Sequence, residues 1–173
     1  MTLKQHLLSR HVDLNVHRVW FDDDEYVATF PLSNLSGMMV GYQQYRPLAD
    51  KTLKNSPREG RYFTFTKKET RGFWGVESWN FSNTLFLTEG VFDAARLTER
   101  GVSAVATLSN DPVHLKNFFY MLNRPVVAVC DAGNAGRKLA KYGTTSVTVP
   151  EEMGDLGDAT NEYVDHLLSV YNR

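Results

Sequence analysis

Acidic residues follow three apolar stretches in the C-terminal half of this chain. Glu89 comes directly after LFLT, and Asp131 comes directly after VVAVC. Asp155 and Asp158 lie in the loop EEMGDLGDAT, which follows the apolar stretch SVTVP. A carboxylate at the end of a buried strand is costly to ionise unless it is paired or bound to a metal. These positions therefore suggest chemistry that depends on a cation.

The carboxylates have two interpretations. Asp93 lies one helical turn after Glu89 on the same face of a predicted helix, so that four or more acids converge and repel one another. A divalent cation would remove that repulsion, and oxygen ligands without a nearby histidine favour Mg²⁺ or Mn²⁺ over zinc. The alternative is that Glu89 and Asp131 only cap the helices that follow them. Acids at three strand ends favour the metal site.

The elements that position these acids follow a regular alternation. Apolar segments TLFLT, AVATL, PVVAVC and SVTVP alternate with the helical segments EGVFDAARLTERG, DPVHLKNFFYMLN, AGRKLAKYG and TNEYVDHLLSVY. Such alternation predicts an α/β fold with a parallel sheet and helices on both of its faces. Ligands of such sheets bind at the carboxyl ends of the strands, where the acids lie.

The N-terminal part has a different pattern. Residues 2–10 predict a short amphipathic helix with Thr2 as its cap and an apolar face of Leu3, Leu7 and Leu8. HRVWF and EYVATF predict two strands joined by the acidic turn at 22–24. A solvated hairpin tip explains this turn better than a metal site, because consecutive side chains do not converge.

Residues 41–75 combine basic and aromatic side chains. Basic side chains can follow a phosphate backbone while exposed aromatic rings stack on bases, so the segment is a candidate nucleic-acid surface. The alternative is that the aromatic residues face the core and the basic residues are solvated neighbours, which the alternation of RYFTFT also allows. Against three acidic residues, the segment has eight basic ones: Arg46, Lys51, Lys54, Arg58, Arg61, Lys67, Lys68 and Arg71.

Composition limits the class of protein. The formal net charge of −1 points to no partner through overall electrostatics, and the single cysteine, Cys130, excludes a disulfide framework or a multi-cysteine zinc module. The apolar runs are too short to span a bilayer, and MTLKQHLLSR lacks the apolar core of a signal peptide. A cytoplasmic protein without a membrane partner is the prediction.

Several motifs resemble a known family. LFLTEGVFDAARL and VVAVCDAGNAGRK resemble the Toprim domain of primases, topoisomerases and some nucleases, and DLGDATNEYVDHLL resembles the segment that follows in many primases. Upstream, VGYQQYRP, KNSPREGRYFTFTKK and GFWGV resemble, in the same order, the region before Toprim in bacterial DnaG-type primases. The resemblance covers about residues 38 to 168 and implies a small basic α+β domain at 1–81 followed by a Toprim domain at 82–173.

The resemblance also implies residue roles. Glu89 and Asp131 would be catalytic, with Glu89 as the acid or base, and Asp93 would be its supporting carboxylate. Metal ligands would be Glu89, Asp93, Asp131, Asp155 and Asp158, for Mg²⁺ or Mn²⁺. Positions that would hold the template or nucleotide phosphates are Arg46, Lys51, Lys54, Arg61, Lys67 and Arg137.

The chain departs from the family pattern at two places. Gly133 stands where the family has the second aspartate of its D-x-D motif, and the adjacent Asn134 is a weaker, neutral ligand. Ser109 and Asn110 replace the usual Gly–Thr pair. The first change argues against a complete two-metal site.

The expected function is that of a phage-like primase core. Such an enzyme would bind single-stranded DNA, join nucleoside triphosphates into RNA primers with Mg²⁺, and obtain a replicative helicase or a zinc-bearing partner in trans. The first alternative is a Toprim nuclease or nickase that uses the same carboxylates. The second is a nucleic-acid-binding factor without catalysis, which Gly133 makes plausible.

Overall fold

The computed structural model describes residues 1–53, 56–67, 72–109 and 111–173. Two four-stranded sheets form its framework, one antiparallel and one parallel, which confirms the predicted α/β class with an N-terminal α+β part. The antiparallel sheet has the order β1-β2-β3-β4. Its strands are β1 (Trp20–Asp22), β2 (Val27–Ser33), β3 (Met39–Tyr45) and β4 (Tyr62–Thr66), and the helix α1 (Leu3–Ser9) precedes them.

The parallel sheet has the order β6-β5-β7-β8. Every residue of β5, β6 and β7 is buried, as expected for strands covered on both faces. The strands are β5 (Leu85–Thr88), β6 (Ser103–Ala106), β7 (Val126–Cys130) and β8 (Thr145–Thr148). The helices are α2 (Val91–Thr98), α3 (Lys116–Tyr120), α4 (Gly133–Gly136) and α5 (Asn161–Tyr171).

Helices cover both faces of the parallel sheet. Successive residues of β5 point to opposite sides: Phe86 belongs to the core cluster that includes Phe92 of α2 and Val164 of α5, whereas Leu87 belongs to the cluster that includes Phe119 of α3. Within the described residues, no helix is long and apolar enough to cross a membrane.

One apolar core runs through both sheets. Phe30 of β2 contacts Trp74 and Phe92 edge-on, with ring centroids 5.9 and 6.0 Å apart. Backbone bridges from Phe73 to Ser33 and from Trp74 to Ala106 also connect the antiparallel sheet to the parallel one. The inner face of the antiparallel sheet therefore lies against the parallel sheet and its helices. The division at residue 81 stays a prediction.

The N-terminal prediction is correct in outline. Thr2 caps α1 in a capping box with Gln5, because each residue accepts a hydrogen bond from the other's backbone N–H. Leu3 and Leu7 are fully buried, but Leu8 is 49% exposed and does not belong to the apolar face. The acidic turn is a solvated hairpin tip, in which Asp22 accepts the N–H of Glu25 at 2.9 Å.

Three predicted elements are shorter in the structure. His17 is not in a strand; it is buried, and its Nε2 lies 2.8 Å from the Thr98 hydroxyl. Asp111 does not begin a long helix, since its carboxylate pairs with Lys141 at 2.7 Å, and α3 follows only after a 3₁₀ turn. The segment after Asp131 forms the single turn α4 and then a 3₁₀ helix at Arg137–Tyr142, where two glycines disfavour a longer α-helix.

Candidate active site

A cleft of about 270 Å³ lies between the carboxyl ends of the parallel strands and the inner face of the antiparallel sheet. Four of the predicted acids line it: Glu89, Asp93, Asp131 and Asp155. The opposite wall has Gln43 of β3 and Tyr62 of β4. The structure therefore brings together acids that are up to 66 residues apart in sequence.

Glu89 directly follows β5 at the sheet edge. Its carbonyl accepts the N–H of Leu108 at 2.9 Å, which ties the β5 turn to the loop after β6. The position before α2 is occupied by Gly90, so Glu89 does not cap this helix. Burial and the nearby charge of Asp131 raise the pKa of Glu89.

Asp131 follows β7, and the chain then turns tightly. A Cβ atom at Gly136 would lie 2.2 Å from the carbonyl oxygen of Asp131, so only glycine allows α4 to pack this close. The N-cap of α4 is Ala132, and the capping interpretation therefore fails for Asp131 as well. Burial, together with the charge of Asp155, raises the pKa of Asp131.

Asp93 is the most deeply buried of these acids, with 7% of its surface exposed. Oδ1 accepts the N–H of Gly157 at 2.8 Å, and Oδ2 accepts the N–H of Gly90 at 3.2 Å. Burial and the charges of Asp131 and Asp155 raise its pKa to about 7. Asp93 thus holds two loops together beneath the cleft.

The two acids of the last loop point to different places. Asp155 lines the cleft and accepts the N–H of Asp158 at 2.9 Å. Asp158 is not part of the lining; its carboxylate is exposed and forms an ion pair with Arg10. Its predicted role as a metal ligand stays a prediction.

The chemistry of the donors fits a hard cation. Glu89, Asp131 and Asp155 offer carboxylate oxygens. Burial and mutual repulsion raise the pKa values of Glu89 and Asp131, and bound Mg²⁺ or Mn²⁺ would offset both effects by stabilising the ionised carboxylates. In the described part of the chain, no three Asp, Glu, His or Cys side chains are positioned to hold one metal ion. Binding would therefore require these side chains to move closer together.

Gly133 leaves space where the family has a carboxylate. Its φ angle is +88°, and a Cβ atom there would have no heavy atom within 4 Å. Asn134 is exposed on α4. The missing acid is therefore a matter of residue type and backbone conformation, not of steric exclusion.

Two residues of the cleft carried no signal in the sequence. Arg10, at the end of α1, lines the cleft together with these acids. It also pairs with Asp158, which lies 148 residues later in the chain and outside the cleft lining. Leu108 has a left-handed φ of 58°, which is uncommon for a non-glycine residue and occurs in the loop where the family has glycine. Ser109 follows it, and Asn110 lies outside the described residues.

The predicted phosphate-binding residues are dispersed. Arg46 lies two residues after Gln44 of β3 and on the same outer face of the antiparallel sheet, away from the acidic cleft. Arg61 is half-buried and donates to the carbonyl of Ala49 at 2.9 Å. Lys51, Lys67 and Arg137 are exposed. Lys54 lies outside the described residues, as do Lys68 and Arg71.

The aromatic side chains in the segment 41–75 lie on both faces of the antiparallel sheet. Tyr62 pairs with Tyr45 on the inner face, with ring centroids 5.1 Å apart. Phe65 pairs with Tyr42 on the outer face, where Phe65 is 52% exposed. The interpretation that these rings all face the core is therefore wrong for Phe65.

The overall fold matches several solved primase structures. A DnaG primase catalytic domain bound to single-stranded DNA superimposes with a TM-score of 0.56 at 20% identity, covering 98% of this chain and 57% of that one. The RNA polymerase domain of Mycobacterium tuberculosis primase DnaG, in complex with double-stranded DNA, gives 0.58 at 16% identity, covering 96% and 63%. The primase fragment of the bacteriophage T7 primase-helicase protein gives 0.59 at 12% identity, covering 84% and 61%.

Sequence comparisons add no assignment, since no family model and no curated protein matches the chain. The chain spans about three fifths of the length of these three solved proteins. The similarity concerns the fold, including the antiparallel and parallel sheets that form the walls of the acidic cleft. The chain has the fold of the catalytic core of DnaG-type and bacteriophage T7 primases.

Proposed function

We propose that this protein is a primase-like nucleotidyltransferase that synthesises short RNA primers on single-stranded DNA. The observation that carries the proposal is the cleft in which Glu89, Asp131 and Asp155 converge at the carboxyl ends of parallel strands. The fold of this chain is also the one found in primase catalytic cores.

The residues of the cleft suggest a division of roles. Glu89, Asp131 and Asp155 would hold Mg²⁺ or Mn²⁺, which would supply positive charge that stabilises the charge developing during phosphoryl transfer. Glu89 would accept the proton of the attacking 3′-hydroxyl, because its carboxylate directly follows β5 and lines the cleft. Asp93 would keep the two acid-bearing loops in register.

The template would bind along the basic and aromatic residues of the N-terminal part. The DnaG catalytic domain with single-stranded DNA and the mycobacterial domain with double-stranded DNA support a nucleic-acid ligand. Exposed Lys51, Lys67 and Arg137 are the positions that would contact phosphates. A replicative helicase or a zinc-bearing partner would act in trans, in the cytoplasm of a bacterial or phage-infected cell.

A second candidate function is nucleic-acid binding without catalysis. Gly133 supplies no carboxylate, and within the described ranges no three metal-binding side chains are positioned around one point. The phosphodiester-cleaving alternative uses the same three carboxylates, and no particular contact favours it over primer synthesis.

One experiment separates these functions. The protein is incubated with labelled single-stranded DNA, the four nucleoside triphosphates and either Mg²⁺ or Mn²⁺, and the products are resolved by length. Growing oligoribonucleotides support the proposal, whereas shortened DNA indicates a nuclease. DNA that is retained but unchanged, with no new RNA under either metal, identifies a binding factor.

A further inference from the structure

Large apolar side chains are exposed on the outer side of α3 and of the 3₁₀ turn before it. Three of them, within one short stretch of the chain, are mostly exposed: Val113 (66%), Tyr120 (88%) and Met121 (81%). Tyr120 is the most exposed large apolar residue in the described part of the chain. A single exposed apolar side chain is ordinary, whereas a group of them marks a candidate contact surface.

These side chains are carried by a packed element. Leu115 and Phe119, on the opposite side of the same segment, are buried in the core. Lys116 and Tyr120 are four residues apart and are therefore neighbours on the exposed side of α3. Met121 follows directly, and its backbone N–H closes the last turn of the helix. The backbone that presents the exposed side chains is thus fixed by the core beneath it.

The end of α3 that carries Tyr120 and Met121 lies away from the acidic cleft. Shortly after this helix, Arg124 donates to the carbonyl of Asn83 at 2.7 Å, just before β5 begins. This end of α3 therefore lies at the amino ends of the parallel strands, whereas the acids of the cleft lie at their carboxyl ends. A molecule bound there would leave the cleft open.

The surroundings of these apolar side chains are basic. Residues 112–143 include five Lys and Arg residues and a single acid, Asp131, which faces the cleft. Lys116 is exposed on α3, and Lys138 is exposed on the neighbouring 3₁₀ helix. Within the described ranges, neither of these two lysines forms an ion pair. Their charge is therefore available to a partner.

Asp111 holds the neighbouring 3₁₀ helix beside this segment. Its Oδ1 atom lies 2.7 Å from Nζ of Lys141 and accepts a hydrogen bond from the hydroxyl of Tyr142. These hydrogen bonds, together with the charges of Lys141 and Lys138, lower the pKa of Asp111. The lysines thus lie beside the segment that begins at Val113, two residues further along the chain. One surface, the α3 patch, combines the apolar and basic side chains: Val113, Lys116, Tyr120, Met121 and Lys138.

The chemistry of the α3 patch favours an acidic peptide over other partners. Its lysines attract negative charge, and its apolar side chains gain only when they are covered. The phosphates of a nucleic acid would satisfy the lysines, but Val113 and Met121 cannot stack on bases as Tyr120 can. A second copy of this chain, related by a two-fold axis through the patch, would bring the same lysines together. A peptide with carboxylates among apolar side chains matches both halves of the patch.

We propose that the α3 patch is a docking site for an acidic segment of another protein. Its carboxylates would contact Lys116 and Lys138, and its apolar side chains would cover Tyr120 and Met121. The proposal does not depend on primer synthesis, because no residue of the patch lines the cleft. A partner bound in this way would stay with the protein while the cleft remains accessible.

Fluorescence anisotropy with labelled synthetic peptides tests the proposal. The probe set consists of peptides about 12 residues long that mix Asp and Glu with Leu and Phe in several orders. One comparison set has Ser in place of Leu and Phe, and another has Asn and Gln in place of the acids. We expect the probe set to include peptides that bind the wild type. Both comparison sets should bind about tenfold or more weakly, since each lacks one half of the contact.

Two double variants assign the binding to the patch. Tyr120→Ser with Met121→Ser removes exposed apolar surface and should weaken binding by about tenfold or more. Lys116→Glu with Lys138→Glu reverses the charge and should abolish binding of the acidic peptides. Peptides with Lys in place of Asp and Glu should then bind this charge-reversed protein better than the wild type.

Matched controls change exposed residues elsewhere. Leu48→Ser and Lys4→Glu should bind the probe peptides as the wild type does. The melting temperatures of both double variants should also stay close to that of the wild type, because the side chains concerned are exposed.

Three results overturn the proposal. The first is that no peptide of the probe set binds the wild type, and the second is that both double variants bind these peptides as tightly as the wild type does. The third is that the double variants lose binding of a single-stranded oligonucleotide, or of phosphatidylglycerol vesicles, while peptide binding is unchanged. The patch would then be a nucleic-acid surface or a membrane surface.

Discussion

Gly157 and Asp93 connect two distant parts of the acidic cleft. The backbone N–H of Gly157 donates to Oδ1 of Asp93 at 2.8 Å, across 64 residues of sequence. The other oxygen of Asp93 accepts the N–H of Gly90, directly after Glu89. One buried carboxylate therefore sets the position of the loop that carries Asp155 relative to the turn that carries Glu89.

This arrangement predicts how stability depends on pH. The pKa of Asp93 rises from 3.8 to about 7 on folding, because the carboxyl is buried beside Asp131 and Asp155. Between these values the folded protein keeps a proton that the unfolded chain has released, so the free energy of unfolding should fall as pH rises from about 4 to 7. One proton gives a slope of at most about 1.4 kcal/mol per pH unit.

Urea denaturation from pH 5 to pH 7 measures this slope. In Asp93→Asn the group no longer titrates, so we expect a flatter dependence over the same range. The comparison uses the slopes, because the amide also disturbs one of the two backbone hydrogen bonds and lowers stability at every pH. Parallel curves for the two proteins would show that Asp93 ionises at an ordinary pKa.

Glu89→Gln tests the proposed base. The substitution keeps the size of the side chain but removes its ability to take up a proton, so primer synthesis should fall by about 100-fold or more. The melting temperature should stay close to that of the wild type, since the Glu89 backbone contact with Leu108 is retained. Glu162→Gln, at an exposed position on α5, is the matched control and should remain active. Activity within twofold of wild type in Glu89→Gln would remove Glu89 from the proposed mechanism.

The acids at the strand ends were predictable because local rules decide their place. Alternating strands and helices imply a parallel sheet, and residues directly after such strands meet at one edge. Glu89 and Asp131 need no further information to converge. The requirement for glycine at position 136 is also set by local geometry, since the backbone there passes close to Asp131, five residues earlier.

The contacts between distant segments were not predictable in this way. Arg10 lies at the end of α1, and this helix packs into the core that both sheets share. No periodicity in the sequence predicts which helix borders the cleft. Asp155 and Asp158 are three residues apart in one loop, yet one faces the cleft and the other faces Arg10. The length of α3 depends on Asp111, whose carboxylate is used by Lys141 instead of a helix end.

Salt dependence tests the basic positions. Binding of single-stranded DNA should weaken as salt rises, because phosphate contacts release counterions. Replacing the exposed Lys51 and Arg137 together with glutamine should reduce the slope of log affinity against log salt by about 1.4, or about 0.7 for each lost contact. Fluorescence anisotropy with a labelled oligonucleotide measures the slope.

A second double variant controls for overall charge. Lys4→Gln with Lys116→Gln removes the same two charges from exposed positions on α1 and α3, so its slope should match that of the wild type. Equal flattening in both double variants would show that net charge matters and that Lys51 and Arg137 make no particular contact.

Gly133 provides the most direct test of the metal site. An added aspartate side chain has space, because a Cβ atom at this position meets no heavy atom within 4 Å. The positive φ of +88° costs about 1 kcal/mol for a residue with a side chain, although aspartate and asparagine tolerate it better than most. Gly133→Asn has nearly the same shape and backbone strain but no charge. The difference between the two variants therefore reports the carboxylate alone.

Calorimetric titration with Mg²⁺ and with Mn²⁺ decides the question. We expect weak Mg²⁺ binding and tighter Mn²⁺ binding in the wild type, since Gly133 leaves the cluster one oxygen and one negative charge short and water must complete the coordination. Gly133→Asp should tighten Mg²⁺ binding by about tenfold, equivalent to about 1.4 kcal/mol, and should raise activity at limiting Mg²⁺. Gly133→Asn should remain close to the wild type. If both variants tighten binding equally, the added charge is not what the site lacks. If no variant binds either metal, Glu89, Asp131 and Asp155 do not form a metal site, and nucleic-acid binding without catalysis becomes the better account of this cleft.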